Sequence, residues 1–199
     1  MTNLPPDELE RAQTAVFVLI GKCILNLQLY EQALKNLLPH FDVSSNGPTP
    51  EQQREKLALQ TLGFLIRQLL EKTAEFDEEP EEPKLLPGQT TAFRSRFRIP
   101  MNAEQAKQAC DDLNDLLQKR NFLVHHFRSE FRLSTESGCL AAKAYLDNLN
   151  EQAKRAVTQI NEIGNELKER RTLLASFLMS PEAIQLIDEM QQPLNPPSK

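Results

Sequence analysis

An all-α fold, an up-down bundle of four main helices with a long heptad-patterned last core helix and a short C-terminal helix, is predicted by three features of the amino-acid sequence. Helix-favouring Ala, Leu, Glu, Gln, Lys and Arg dominate the 199 residues, whereas Gly numbers 6 and Trp is absent. Apolar residues recur in steps of three and four over long stretches, the spacing of helices with one buried face. Capping signatures stand before those stretches, and Pro or Gly closes them.

The first helix is expected to start at Asp7, after Pro5 and Pro6, and to run to about Leu38. Its inward positions are Val16, Leu19, Ile20, Cys23, Ile24, Leu27, Leu34, Leu37 and Leu38. Pro39 closes it, and Asp42 to Pro48 reads as a loop, being rich in Ser, Asn and Gly. Thr49-Pro50-Glu51-Gln52 combines an N-cap, a first-turn proline and a capping-box glutamine. A second helix should follow to about Phe76, burying Leu57, Leu62, Leu65, Ile66, Leu69 and Leu70. Glu78-Glu79-Pro80-Glu81-Glu82-Pro83 lies in an acidic, proline-broken linker at about 77–90, expected to be extended and solvated.

Thr90 to Ile99 is the strand-like piece, because Phe93, Phe97 and Ile99 alternate with Arg94, Arg96 and Arg98. Asn102 with Gln105 is a second capping box. The third helix should turn Ala106, Ala109, Cys110, Leu113, Leu116 and Leu117 inward and continue to about Phe131. After a turn at Ser134 to Gly138, a fourth helix is expected to about Leu178. Leu146, Leu149, Ala153, Ala156, Ile160, Ile163, Leu167, Leu174 and Phe177 make a heptad seam there, interrupted by Arg170. The seam suits packing inside the bundle or pairing across a dimer axis. Ser180-Pro181-Glu182 opens the short last helix. Residues 1–192 thus read as a single domain, with 193–199 as a flexible tail.

A net charge of -5 argues against a protein that coats nucleic acid through a global positive field, while leaving room for a local basic site. Cys23, Cys110 and Cys139 are odd in number and widely spaced, so neither a disulfide framework nor a zinc cluster is expected. A reducing cytoplasm fits, with no metal and no cofactor. The N-terminal residues lack the basic start and apolar stretch of a signal peptide. The apolar run Ala15 to Ile20 is too short to span a bilayer, so no membrane association is expected.

The chemistry concentrates in Arg120-Asn121-Phe122-Leu123-Val124-His125, on a leucine-rich helix. Only three histidines exist, and two of them, His125 and His126, are adjacent. Metal-independent RNA cleavage uses the 2′-hydroxyl as nucleophile. It needs a base for that proton, an acid for the departing 5′-oxygen, and positive charge beside the phosphorane. Histidine titrates near neutrality and serves as either base or acid. Arginine offers phosphate a permanently charged planar fork. At about 100° per residue, Asn121 and His125 share a helix face, whereas Arg120 must reach round to join them. In-line attack places base and acid on opposite sides of phosphorus, which two copies of one motif can satisfy.

The segment Arg120-Asn121-x-x-x-His125 resembles the signature of the HEPN superfamily, in which arginine and a small polar residue precede histidine by this spacing. Roughly residues 7 to 178 share the expected pattern, with the motif on a late core helix of a helical bundle. Gly21, Lys22, Gln28 and Glu31 on the first helix are similar to first helices of that group. The resemblance implies an endoribonuclease acting as a homodimer, with Arg120, Asn121 and His125 catalytic and RNA as substrate. It further implies a toxin–antitoxin or phage-defence setting, with an antitoxin or other regulatory protein as partner. The family also holds non-cutting members, so a helical interaction module is the competing reading.

Other residues carry two readings each. His126 serves as an auxiliary catalyst or, pointing about 100° away from His125, as a surface or interface residue. Glu31 either faces the motif or lies on the solvated face. Arg94, Arg96 and Arg98 form an RNA grip, extended by Lys119, Arg128 and Arg132, or else a surface strap whose phenylalanines pack on the bundle. The acidic linker is a spacer or a nucleic-acid mimic. Nothing in the sequence marks a convergent polar cluster for a small ligand, and His40 reads as a loop residue.

Overall fold

A computed structural model of the chain describes residues 6–73, 86, 87 and 92–191. Their elements, in order, are α1 (Pro6–Leu37), a 3-10 turn (Leu38–His40), β1 (Asp42–Ser44), α2 (Pro50–Ala58), α3 (Leu62–Thr73), β2 (Arg94–Arg96), α4 (Ala103–His125), α5 (Phe127–Glu130), α6 (Glu136–Leu178) and α7 (Pro181–Gln191). The fold is mostly helical, as its composition predicts, and the two longest helices, α1 and α6, pack together.

Their contact is a double heptad seam. Val16, Cys23, Leu27, Tyr30, Leu34 and Leu37 of α1 are buried, and Ile20 fills the missing step. Cys139, Ala142, Leu146, Leu149, Ala153, Ala156, Ile160 and Leu167 are buried on α6, with Ile163 filling its gap. The two helices run parallel, because their contacts climb both together. Gln13 donates to the Leu133 carbonyl just ahead of α6, Cys23 Sγ to the Leu146 carbonyl at 3.3 Å, and Asn26 to Asn150 Oδ1 at 2.7 Å. Further along, a Cβ added at Gly164 would touch Leu37. The α6 seam is therefore occupied within the chain as far as Leu167, not by a second copy. Arg170 and Phe177, beyond it, are exposed. Ile24, expected inward, is exposed as well, because the buried arc of α1 is centred on Cys23 and Leu27.

The second expected helix is two helices. Leu59 projects into solvent at 94 % exposure, and the Gln60 amide closes a turn on the Leu57 carbonyl. Thr61 then caps α3 by accepting from the Phe64 amide at 3.4 Å. The capping boxes at Thr49/Gln52 and Asn102/Gln105 both form as their spacing predicts. α3 turns Leu62, Leu65, Ile66 and Leu69 into the core.

Asp42–Ser44, expected as loop, instead pairs antiparallel with Arg94–Arg96, in the register Asp42–Arg96, Val43–Ser95, Ser44–Arg94. The expected strand is thus short. The Phe97 amide extends the pairing to the Phe41 carbonyl at 2.8 Å. The third expected helix ends at His125, earlier than Phe131; His126 leaves helical geometry at φ -125° before the single turn of α5. The acidic linker, apart from Leu86 and Pro87, the helix end at Phe76, Thr90 and the tail 193–199 lie outside the described residues.

Helix and turn together, Asp7–His40 form one continuous segment long and apolar enough to cross a membrane by length and composition. The short apolar run within it does not reveal this, because the helix joins that run to a second one beyond Gly21. The seam side of the segment packs on α6.

Candidate functional site

The end of α4 is held by aromatic packing. Phe122 meets Tyr145 of α6 with ring centroids 5.0 Å apart, Phe127 meets Phe131 at 4.8 Å, and Phe131 meets Tyr145 at 5.6 Å. Tyr145 also donates its hydroxyl to the Lys119 carbonyl at 3.1 Å, pinning α4 to α6 one residue before the motif. Burial, then the nearby Asp115 and Cys23, push the Tyr145 phenol up to about 12, so it stays a donor at neutral pH. Leu123 and Phe127 are buried below this surface. The sequence builds a firm platform here because aromatic and leucine side chains alternate with polar ones at helical spacing.

On that platform Arg120 and Asn121 are half-buried, whereas His125 and His126 are exposed. Arg120 Nη1 donates to Asn121 Oδ1 at 3.2 Å, so the guanidinium bends toward its neighbour. The imidazole rings of His125 and His126 lie 6.3 Å apart, and His126 also faces Phe122 at 6.3 Å. Among the described residues no hydrogen bond joins Arg120 to His125. One copy therefore presents an exposed imidazole at the helix terminus and a guanidinium–amide pair one turn earlier. The imidazole can exchange a proton with a bound group, and the guanidinium can hold a phosphate oxygen.

The other candidate residues are scattered. Lys119 Nζ is engaged by Asp115 at 2.8 Å, Gln152 at 2.9 Å and Asn148 at 3.3 Å, which neutralises much of its attraction for phosphate. Arg128 and Arg132 are exposed near the motif. Glu31 is held by Lys35 on its own helix at 2.7 Å.

Arg94 forms a bidentate pair with Asp42, through Nε at 3.1 Å and Nη2 at 2.7 Å, and Arg96 approaches the same carboxylate at 3.6 Å. The Arg94 hydrogen bond holds the Asp42 carboxyl below its usual range. Arg98 Nη1 is buried with no partner among the described residues. Phe97 packs on the core while Phe93 is exposed, so only one of the two phenylalanines pins the strap.

This arginine strand is not continuous with the motif within one copy. Residues Phe97 to Pro100 line a small cleft with Ile163 and Leu167 of α6, whereas the motif end of α4 meets Tyr145. Those positions on α6 are separated by roughly 27 Å at 1.5 Å per residue. The two basic clusters are therefore distinct surfaces, and α4 runs antiparallel to α6 between them.

A polar cluster that sequence reasoning missed lines a groove of about 1040 Å³ between the end of α1 and α6. Arg171 Nη1 donates to His40 Nδ1 at 2.6 Å, with Lys168 and Asn165 beside them. The guanidinium has no acceptor, so Nδ1 must accept and the imidazole is neutral. Burial and then the Arg171 charge lower the His40 pKa from its ordinary value. The signal in the sequence is Pro39, which turns the chain so that His40 faces α6 rather than a loop. Among the described residues no group of His, Cys, Asp and Glu is arranged to hold a metal ion.

Compared with known protein families, curated proteins and solved structures, the chain matches none. Its class is therefore defined by what it shows itself: a mostly helical protein carrying an exposed Arg-Asn-x-x-x-His segment at the end of a buttressed helix.

Proposed function

We propose that the protein is a metal-independent endoribonuclease of HEPN type, acting on RNA as a cytoplasmic homodimer in a toxin–antitoxin or phage-defence setting. The observation that carries this reading is the exposed position of His125 at the end of α4, one turn from the linked Arg120–Asn121 pair. An antitoxin or other regulatory protein would restrain the activity. Arg120 holds the phosphate, Asn121 orients the guanidinium, and His125 from each copy serves as base or acid. His126 shapes the rim, and Arg128 and Arg132 guide the RNA backbone. An up-down bundle of four main helices would set the first helix against the last, whereas α1 runs parallel to α6 and only α4 runs against it, so the alternating arrangement of the family bundle is not part of what supports this reading.

The test is incubation of purified protein with total RNA in EDTA. Cleavage should leave 2′,3′-cyclic phosphate or 3′-phosphate ends. His125→Ala and Arg120→Ala should each lower the rate by at least ~100-fold without changing the thermal midpoint, the scale of losing a general acid–base group. Undiminished cleavage by a folded His125→Ala protein would end the assignment. A non-cutting interaction module is the second reading, favoured by the hydrogen bond that ties Arg120 to Asn121 rather than to His125. Absence of cleavage by the wild-type chain would select it.

A further inference from the structure

The α1 seam uses only one side of its helix. On the opposite side Phe17, Val18, Ile24, Leu25 and Leu29 are exposed, Phe17 at 60 %, Leu25 at 61 % and Leu29 at 57 %. They form one stripe about 18 Å long, at 1.5 Å per residue. Their exposed apolar surface totals roughly 500 Å², which is at the upper end for the largest patch on a typical monomer. Two such stripes face to face would bury roughly 1,000 Å², about the least a specific interface needs.

Gly21 stands at the centre of the stripe. A Cβ added there would meet nothing within 4 Å, so the packing of the chain itself does not require a glycine. Glycine inside a helix costs about 1 kcal/mol relative to alanine. An unforced helix-weakening residue amid large apolar neighbours is explained by close approach of another helix. Apart from Leu29, the stripe is also symmetric about it. Phe17 and Leu25 lie four residues to either side, and Val18 and Ile24 lie three. Two antiparallel copies crossing at Gly21 would set Phe17 on Leu25 and Val18 on Ile24, each contact made twice, as a two-fold interface demands.

We infer that this outer face of α1 is a homodimer interface, with two copies crossing antiparallel at Gly21. The face stands on its own area and symmetry, independent of catalysis. It bears on the proposed nuclease through height along α6. Cys23 meets Leu146 and Lys119 meets Tyr145, adjacent positions on α6. The motif end of α4 therefore lies near the height of the crossing point, so the two-fold axis would set both copies of the motif at the same height.

The experiment is analytical ultracentrifugation of the full chain, with variants on and off the stripe. Wild type should sediment as a dimer. Leu25→Glu should weaken dimerisation by at least ~100-fold, since each introduced carboxylate would be buried unpaired against Phe17 of the other copy. Gly21→Leu should do the same while leaving the monomer folded or firmer, because the added side chain points into open space. Leu173→Glu, exposed on α6 but off the stripe, should leave the dimer intact.

A wild-type monomer at 100-fold above micromolar concentration (about 0.1 mM, where even weak specific pairs assemble) overturns the inference. So does a dimer unaffected by both stripe variants, or flotation of the monomer with anionic vesicles in place of dimerisation. A dimer of the expected behaviour that cuts no RNA leaves this interface standing and removes the nuclease. A monomer that cuts RNA removes the interface and the pairing of His125 from two copies, and leaves only the cleavage activity.

Discussion

Tyr30 is among the largest side chains fully enclosed in the core, and its hydroxyl has no partner among the described residues. Burial pushes the phenol well above its ordinary pKa, so the group stays neutral and its unmet hydrogen bond is the whole cost. Tyr30→Phe keeps the ring and removes that cost. It should stabilise the fold by about 1 kcal/mol, seen as a higher urea midpoint with an unchanged slope. A loss of stability instead would mean that the hydroxyl bonds to a group not described. Asn150 shows the opposite solution, since Asn26 satisfies its carbonyl across the seam. At this scale the sequence was legible wherever a residue works with its neighbours. The capping residues Thr49 and Asn102 and the apolar steps of α6 needed no third dimension. The pairing of Arg94 with Asp42, or of Arg171 with His40, joins residues far apart in the chain, and no local spacing announces either.

The α1–α6 seam is where most of the elements find their footing. Leu149 is completely enclosed there, while Leu173 projects from the free end of the same helix. Leu149→Ala should cost about 2–5 kcal/mol by leaving a cavity. Leu173→Ala should stay within about 0.5 kcal/mol. Equal costs in urea denaturation would mean that α6 does not pack as described. The α6 seam was readable, but its partner was not, because a heptad pattern gives the spacing of knobs and not the origin of the holes. The matching pattern in α1 was present but diluted by Phe17, Val18, Ile24, Leu25 and Leu29 on the other side. The break between α2 and α3 was hidden because Leu59 and Gln60 suit helices, and only Thr61 signals a new start. The β1–β2 pair escaped because Asp42, Ser44 and Ser45 carry turn chemistry. Their strand forms because Arg94 and Phe93 meet it from a distant segment.

For the whole molecule, the candidate site and the proposed interface share one requirement, a second copy. RNA cleavage per chain should therefore rise with protein concentration across the range where dimers form, then level off. Measurement of initial rates on a short RNA over a thousand-fold dilution series checks this. A rate per chain that stays constant through dissociation would mean that one copy suffices. The segment bearing Arg94, Arg96 and Arg98 enters the same picture only through assembly, since within one copy the residues that follow the strand and the motif end of α4 meet α6 at positions roughly 27 Å apart. The parallel seam also has a consequence for synthesis. Val16 and its neighbours pack against residues encoded some 125 positions later, and a ribosome adds about 5–20 residues per second. The opening helix must thus wait on the order of ten seconds for its mate, with apolar surface bare on both flanks. During that interval nascent chains on one messenger stand side by side, so the surface that later joins finished subunits is also the one open to premature clumping or to a holding chaperone.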